Sequence, residues 1–248
     1  MPVYKKVDKN FFKKWSAEMA YVLGFFAADG YITLNKRGAN FWCIQITDKA
    51  LLQQIKKTVQ AEHKISVRTK VQDQKNLYRL QIGSKEMCDD LRLLGFAERK
   101  TNNMTIPHIP MNYFSHFVRG YFDGDGNVWS GRVHKDRKKP SRMLMTMFTS
   151  GSARFLQELH GRLLLSVVEG GYIYTAKQGY SRLQFATGDS LKLYDFMYNQ
   201  QDSLPRGLFL KRKKKVFEKY VAAVSKAFSR CTRREYTEAY YSPSRLRL

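Results

Sequence analysis

The chain carries one nine-residue pattern twice. Residues 22–30 read VLGFFAADG and residues 118–126 read VRGYFDGDG. Each opens on valine, has glycine third and two aromatic residues next, and closes on a small residue, aspartate and glycine. Asp29 and Asp125 are thus 96 positions apart (125 − 29). Gly24 and Ala28 lie four apart, as do Gly120 and Gly124, so each pair shares one face of a helix. Small residues at that spacing let two helix backbones approach closely. If those faces pair, the helices end side by side and the two carboxylates converge. A helix C-terminus already carries partial negative charge, and two nearby carboxylates repel unless a cation is present. A hard divalent ion, Mg²⁺ above all, resolves that conflict with oxygen ligands. Beside a phosphodiester such a cluster activates water and stabilises the leaving oxygen. A lone Asp-Gly pair would be read as a turn, but two copies with matching small faces point to chemistry. Gly30 and Gly126 are expected as glycines just past the helix ends. Asp123 has Ala27 as its counterpart, so the repeat gives it no shared role; lining a groove or capping locally are the readings left to it.

Other matches keep the same order. Thr47 and Thr149 each precede a helical stretch, and Arg79-Leu80-Gln81 recurs as Arg182-Leu183-Gln184. Lys100 in FAERK answers Lys213 in FLKRK. Periodicity gives both halves one element order: a helix ending at Asp-Gly, two strands, a helix, two strands and a closing helix. The helices are expected at 16–28, 48–60 and 84–94, then at 112–124, 151–166 and 189–199. The strands are expected at 30–35, 40–47, 64–71 and 76–82, then at 127–133, 142–149, 171–177 and 180–186. The fold class is α+β, two pseudo-symmetric αββαββα halves. The N-terminal half is 1–100 and the C-terminal half 112–224. Between them, 101–111 (TNNMTIPHIPM) has two prolines and reads as a linker. A basic helix and a loosely held tail, 225–248, are expected at the end.

Lys plus Arg number 44 against 21 Asp plus Glu, a net charge of +23 over 248 residues. Such an excess repels itself without a polyanion, which makes nucleic acid the first partner class and a membrane surface the second. No apolar run is long enough to span a bilayer, and no amphipathic apolar stripe lies outside the core helices. The basic N-terminus lacks a secretory apolar region. Cys43, Cys88 and Cys231 show no paired spacing, so zinc and disulfides are not expected. A reducing, intracellular location follows; bacterial or archaeal cytoplasm and an organelle all fit.

Strand alternation separates a core face from a partner face. Ile65, Val67, Thr69 and Val71 oppose Ser66, Arg68 and Lys70; Tyr78, Leu80 and Ile82 oppose Leu77, Arg79 and Gln81; Trp42, Ile44 and Ile46 oppose Phe41, Cys43, Gln45 and Thr47. The polar sets suit phosphates and base edges in a major groove. The DNA-contacting residues are expected to be Gln45, Thr47, Arg68, Lys70, Arg79 and Gln81 in the first half, with Tyr174, Arg182 and Gln184 in the second. RMLMTMF (142–148) has apolar residues on both faces and is ambiguous.

At the two nonapeptides the chain resembles the LAGLIDADG homing endonucleases, in their monomeric two-motif branch. Ala27 departs from the signature's first acidic position and Arg119 from its small second residue. The resemblance spans about 15–220. It implies motif helices forming a central interface and two four-stranded antiparallel sheets saddling the DNA major groove. It implies a long recognition site cut in both strands across the minor groove, leaving 3′ overhangs. The implied metal site is Asp29 and Asp125, with Ala28 and Gly124 beside them. Mg²⁺ is the implied ion, with Mn²⁺ substituting and Ca²⁺ binding without cleavage. The family's basic residue near the cut carries over to Lys213 and Lys100, and its water-ordering polar residue to Asp48 and Ser150. For Asp48, capping helix 48–60 is the preferred reading. An RNA maturase acting on intron RNA and a DNA-binding regulator without cleavage stand as rivals. The regulator would be expected to lose an acidic ligand, and both are present.

Overall fold

The computed structural model describes residues 5–68, 76–98, 103–134, 136, 141–199 and 208–228. Lys70, Lys100, Cys231 and the tail beyond 228 lie outside the described residues. Helix α1 (Ala17–Asp29) is followed by β1 (Gly30–Leu34), β2 (Asn40–Ile46), α2 (Lys49–Thr58), β3 (Ile65–Arg68), β4 (Leu77–Gly83) and α3 (Lys85–Leu93). The order repeats as α4 (Met111–Asp125), β5 (Gly126–Val133), β6 (Ser141–Ser150), α5 (Ala153–Leu164), β7 (Tyr172–Thr175), β8 (Ser181–Phe185) and α6 (Thr187–Tyr198). Helix α7 (Lys211–Phe228) follows. The strand orders are β1-β2-β4-β3 and β5-β6-β8-β7, each fully antiparallel, so the halves share one topology.

Local chemistry sets the helix starts. Ser16, Asp48, Ser84 and Ser152 each stand at an N-cap, with a side-chain oxygen accepting from the backbone N–H three residues on. That arrangement satisfies donors a helix cannot satisfy internally. Helices α2, α3 and α5 are amphipathic and lay Leu52, Ile55, Met87, Leu91, Phe155 and Leu159 against the sheets. The linker is not slack. Met104, Ile106 and Ile109 are buried, the Ser152 hydroxyl donates to the Met104 carbonyl at 2.7 Å, and Ile106 N–H donates to Glu158 at 2.8 Å.

Helices α1 and α4 are different, because they are buried almost all round. They cross at their glycines. A Cβ on Gly24 would run into the Phe117 carbonyl oxygen and crowd Tyr121 N, while one on Gly120 would run into the Tyr21 carbonyl oxygen and crowd Phe25 N. The contacts exchange under the 96-residue offset, as a pseudo-two-fold axis between the helices requires. At Gly124 a Cβ would overlap the Ala28 methyl.

Gly30 and Gly126 do not end their helices in a left-handed turn. Their φ angles are −94° and −89° with extended ψ, so each helix runs directly into a strand. Glycine is needed there for space, since a Cβ would strike the ring of Phe26 or Phe122. Two face assignments also change. Val67 is 52% exposed, because β3 is an edge strand that the helices do not cover; Cys43, on the polar face, is fully buried. The ambiguity of 142–148 resolves, with Leu144, Thr146 and Phe148 turned to the core and Met143, Met145 and Met147 to the opposite face.

The crossing predicts opposite effects for two glycine substitutions. Gly120→Ala forces a methyl into backbone and should cost about 3 kcal/mol or more. Gly161→Ala, in α5 with open space around it, should stabilise by up to about 1 kcal/mol. Urea unfolding of both variants checks the sign.

Candidate active site and nucleic-acid interface

Asp29 and Asp125 are the last residues of α1 and α4 and are half-buried. A Cβ placed on Gly124 would lie 3.3 Å from Asp29 Oδ2, so the first carboxylate reaches across to the residue preceding the second. Both charges act on two common neighbours. Burial pushes the Tyr121 hydroxyl well up, and Asp125 and Asp29 push it further. The Lys213 ammonium is pushed down to about 8, first by burial and then by Arg212, against the pull of Asp123, Asp29 and Asp125. Among the described residues no three His, Cys, Asp or Glu side chains gather. Ala28 and Gly124 stand in the helix contact beside the two carboxylates.

Lys213 is almost wholly enclosed, at 4% exposure. Its Nζ donates to the carbonyls of Phe122 at 2.6 Å, Asp123 at 2.8 Å, Gly124 at 3.3 Å and Gly126 at 2.6 Å. These are the carbonyls at the end of α4 and the start of β5. An ammonium there answers the negative pole of the helix. Lys213 thus holds the turn that carries Asp125 and does not stand in open groove.

Asp123 neither lines the groove nor caps its own helix. It is 1% exposed and accepts from the Tyr21 hydroxyl at 2.8 Å, Leu210 N–H at 2.8 Å and the Tyr198 hydroxyl at 3.4 Å. Burial pushes its carboxyl up, against the Tyr21 hydrogen bond and the Lys213 charge. Arg119 lies one turn before it. Its guanidinium donates to the carbonyls of Met197 at 2.8 Å and Leu208 at 3.3 Å and rests on the Tyr21 ring. The two departures from the repeat therefore form one buried polar knot joining α4, α1, α6 and the entry to α7. Their i, i+4 spacing inside an apolar helix was the available signal.

Asp48 Oδ1 accepts from Leu51 N–H at 3.0 Å, the capping geometry. Ser150 is buried, and its hydroxyl accepts from Ser152 N–H at 3.1 Å.

The residues expected to contact DNA fall in cross-strand rows. Gln45, Arg79 and Ser66 lie side by side across β2, β4 and β3, next to the row of Tyr31, Cys43 and Gln81. With Arg68 at the edge, Gln45 and Arg79 line a cleft of about 250 Å³. Thr47 follows β2 and is exposed. Tyr31 is a residue the alternation argument passed over; its hydroxyl accepts from Gln45 Nε2 at 2.6 Å and so orients that amide. In the second half, Tyr174, Arg182 and Thr149 form one row and Tyr172, Gln184 and Met147 the next. Arg182 Nη2 also donates to the Tyr180 hydroxyl at 3.0 Å.

Two crossed motif helices between twin four-stranded sheets, each helix ending on an aspartate, define a pseudo-symmetric two-motif fold. Residues 16–92 match the LAGLIDADG-like domain family, and between 84% and 91% of the chain shares the fold of LAGLIDADG homing endonucleases of known structure. The homing endonuclease I-WcaI bound to its DNA recognition sequence is 17% identical, with TM-score 0.57 over 84% of this chain and 90% of that one. LAGLIDADG meganuclease I-AabMI bound to uncleaved DNA is 15% identical, with TM-score 0.58 over 87% and 93%. The I-SmaMI LAGLIDADG homing endonuclease bound to cleaved DNA is 15% identical, with TM-score 0.57 over 91% and 94%. At these identities the likeness is one of fold. No curated protein matches the chain.

His116, three residues before Arg119, gives a pH test of this helix. It is buried, Nδ1 has no hydrogen-bond partner, and burial pushes it down to about 4, with Arg119 adding to the effect. The folded state then binds fewer protons than the unfolded chain from pH ~6.5 to about 4. The His116 contribution is fully present above that window and is lost as pH falls through it. In thermal melts from pH 7 to pH 4, His116→Phe should lose less stability than the wild type.

Proposed function

We propose that the chain is a sequence-specific double-strand DNA endonuclease that hydrolyses phosphodiesters with a divalent metal and acts as a monomer. The observation that carries this reading is that Asp29 and Asp125 each end one of two tightly crossed helices, between two equivalent sheets, with Asp29 Oδ2 3.3 Å from where a Cβ on Gly124 would lie. The fold likeness to DNA-bound homing endonucleases and the charge of +23 support it.

The donor set fits Mg²⁺, which takes one or two carboxylates and fills its remaining positions with water and phosphate oxygens. Mn²⁺ is expected to substitute, and Ca²⁺ to support binding without cleavage. Asp29 and Asp125 would hold the metal, with backbone at Ala28 and Gly124 beside it. Bound there, the ion would supply Lewis-acid stabilisation of the scissile phosphate and a more acidic water. Lys213 fixes the α4–β5 turn so that Asp125 keeps its place; it is a positioning residue in this reading. Gln45, Arg79, Gln81, Arg182 and Gln184 engage base edges and phosphates. Tyr121, held by the Thr149 carbonyl at 2.7 Å, packs beneath the site.

A second reading has one observation in its favour. Lys49, Lys56, Lys57 and Lys64 line a cleft of about 560 Å³ beside α2, away from the carboxylates. Such a surface could take intron RNA, and a splicing assay with and without the protein tests that role.

For the endonuclease, Asp29→Asn and Asp125→Asn should each lower double-strand cutting at least about a hundredfold, as loss of a group that stabilises developing charge does. Duplex binding in Ca²⁺ should survive in both. Gel cleavage of library-selected duplexes in Mg²⁺ is the measurement, and wild-type cutting by either variant would refute the assignment.

A further inference from the structure

The two sheets present different chemistry where they should present the same. In the first half the face of β2 that looks away from the core carries Phe41, Cys43 and Gln45. The equivalent positions of β6, at the Thr47–Thr149 offset, are Met143, Met145 and Met147. Trp129 lies directly across from Met145, and Met143 lies across from Gly131. Trp129 is 41% exposed, and its indole covers Gly131, where a Cβ would strike the ring. The three methionines are half-buried. The result is a shallow apolar strip one strand away from Gln184 and Arg182, on the same face as both.

The strip has almost nothing with which to hydrogen-bond. A major groove presents acceptors on guanine, a donor on cytosine, both on adenine, and on thymine an acceptor beside a C5-methyl group. Pressing Trp and Met against a G·C edge would strip water from its polar atoms and return no partner, which is costly. The one group in the groove that such a surface complements is the thymine methyl. Met is also pliant enough to fit around it. Resting on the DNA-binding reading above, we propose that Trp129, Met145 and Met147 determine specificity in the C-terminal half by packing on thymine methyls, so that half of the target site is read for thymine while the N-terminal half is read by hydrogen bonds. The flanking Gln184 and Arg182 keep the duplex in register over the strip.

The test begins with full-length protein and a randomised duplex library selected by binding in Ca²⁺. In the recovered site, thymines of one half and then of the other are replaced by deoxyuridine, which removes only the methyl. Each methyl buried on the strip should be worth about fourfold in affinity. The expected result is a loss of at least that size in one half, little in the other, and disappearance of the loss in Met145→Gln/Met147→Gln. That variant should still bind duplex, with its base preference altered in the same half only. Selective binding that is indifferent to uracil in both halves, or a loss equal in wild type and variant, overturns the methyl readout and leaves DNA recognition standing. No selective duplex binding at all overturns both.

Discussion

The close crossing of α1 and α4 is the constraint from which the site follows. At Gly24 and Gly120 each helix presses bare backbone against backbone of the other. Any side chain there would push the axes apart, and Asp29 and Asp125 would part with them. The crossing also explains the aromatic residues beside each glycine. Helices this close leave no room between them, so Phe25, Phe26, Tyr121 and Phe122 project sideways and fill the space under the two sheets. One interface thus joins the halves, completes a single core running through both, and holds together the two helices that end on Asp29 and Asp125.

The symmetry is broken on purpose-built terms at α4. Arg119 and Asp123 are buried ionisable groups where the first half has Leu23 and Ala27, and Lys213 is buried beside them. Buried charge is expensive unless it is hydrogen-bonded, and here most of the polar atoms are. The carbonyls at the end of α4 receive Lys213, while Asp123 receives a backbone N–H and two phenols. Truncating one member would leave the others without partners, so the knot enforces one geometry where α4, α6 and α7 meet. The same half carries the Trp and Met strip. The second half thus departs from the first in both its scaffold and its outer face.

Much of this was legible in the sequence. The αββαββα order and the crossing of the two motif helices follow from the duplicated nonapeptides, their small-residue faces and the alternation of the strands. The polar rows on the sheets followed from period-two alternation at Gln45, Arg79, Gln81 and Arg182. Boundaries were close because helix starts are marked by Ser16, Asp48, Ser84 and Ser152. Val67 and Cys43 broke the alternation rule for tertiary reasons, one lying on an uncovered edge and the other beneath a neighbouring tyrosine.

What the sequence determined by itself was whatever depends on neighbours within a few residues: element type, the periodic faces, the caps, and the repeat that makes two carboxylates equivalent. Only the tertiary structure decided the fates of Asp123 and Lys213. An ammonium seated on carbonyls some 90 positions earlier in the chain (Lys213 on Asp123 and Gly124) has no local signature. Its cause is the packing of α7 against the end of α4, and distant contacts of that kind exist only once the whole core has closed.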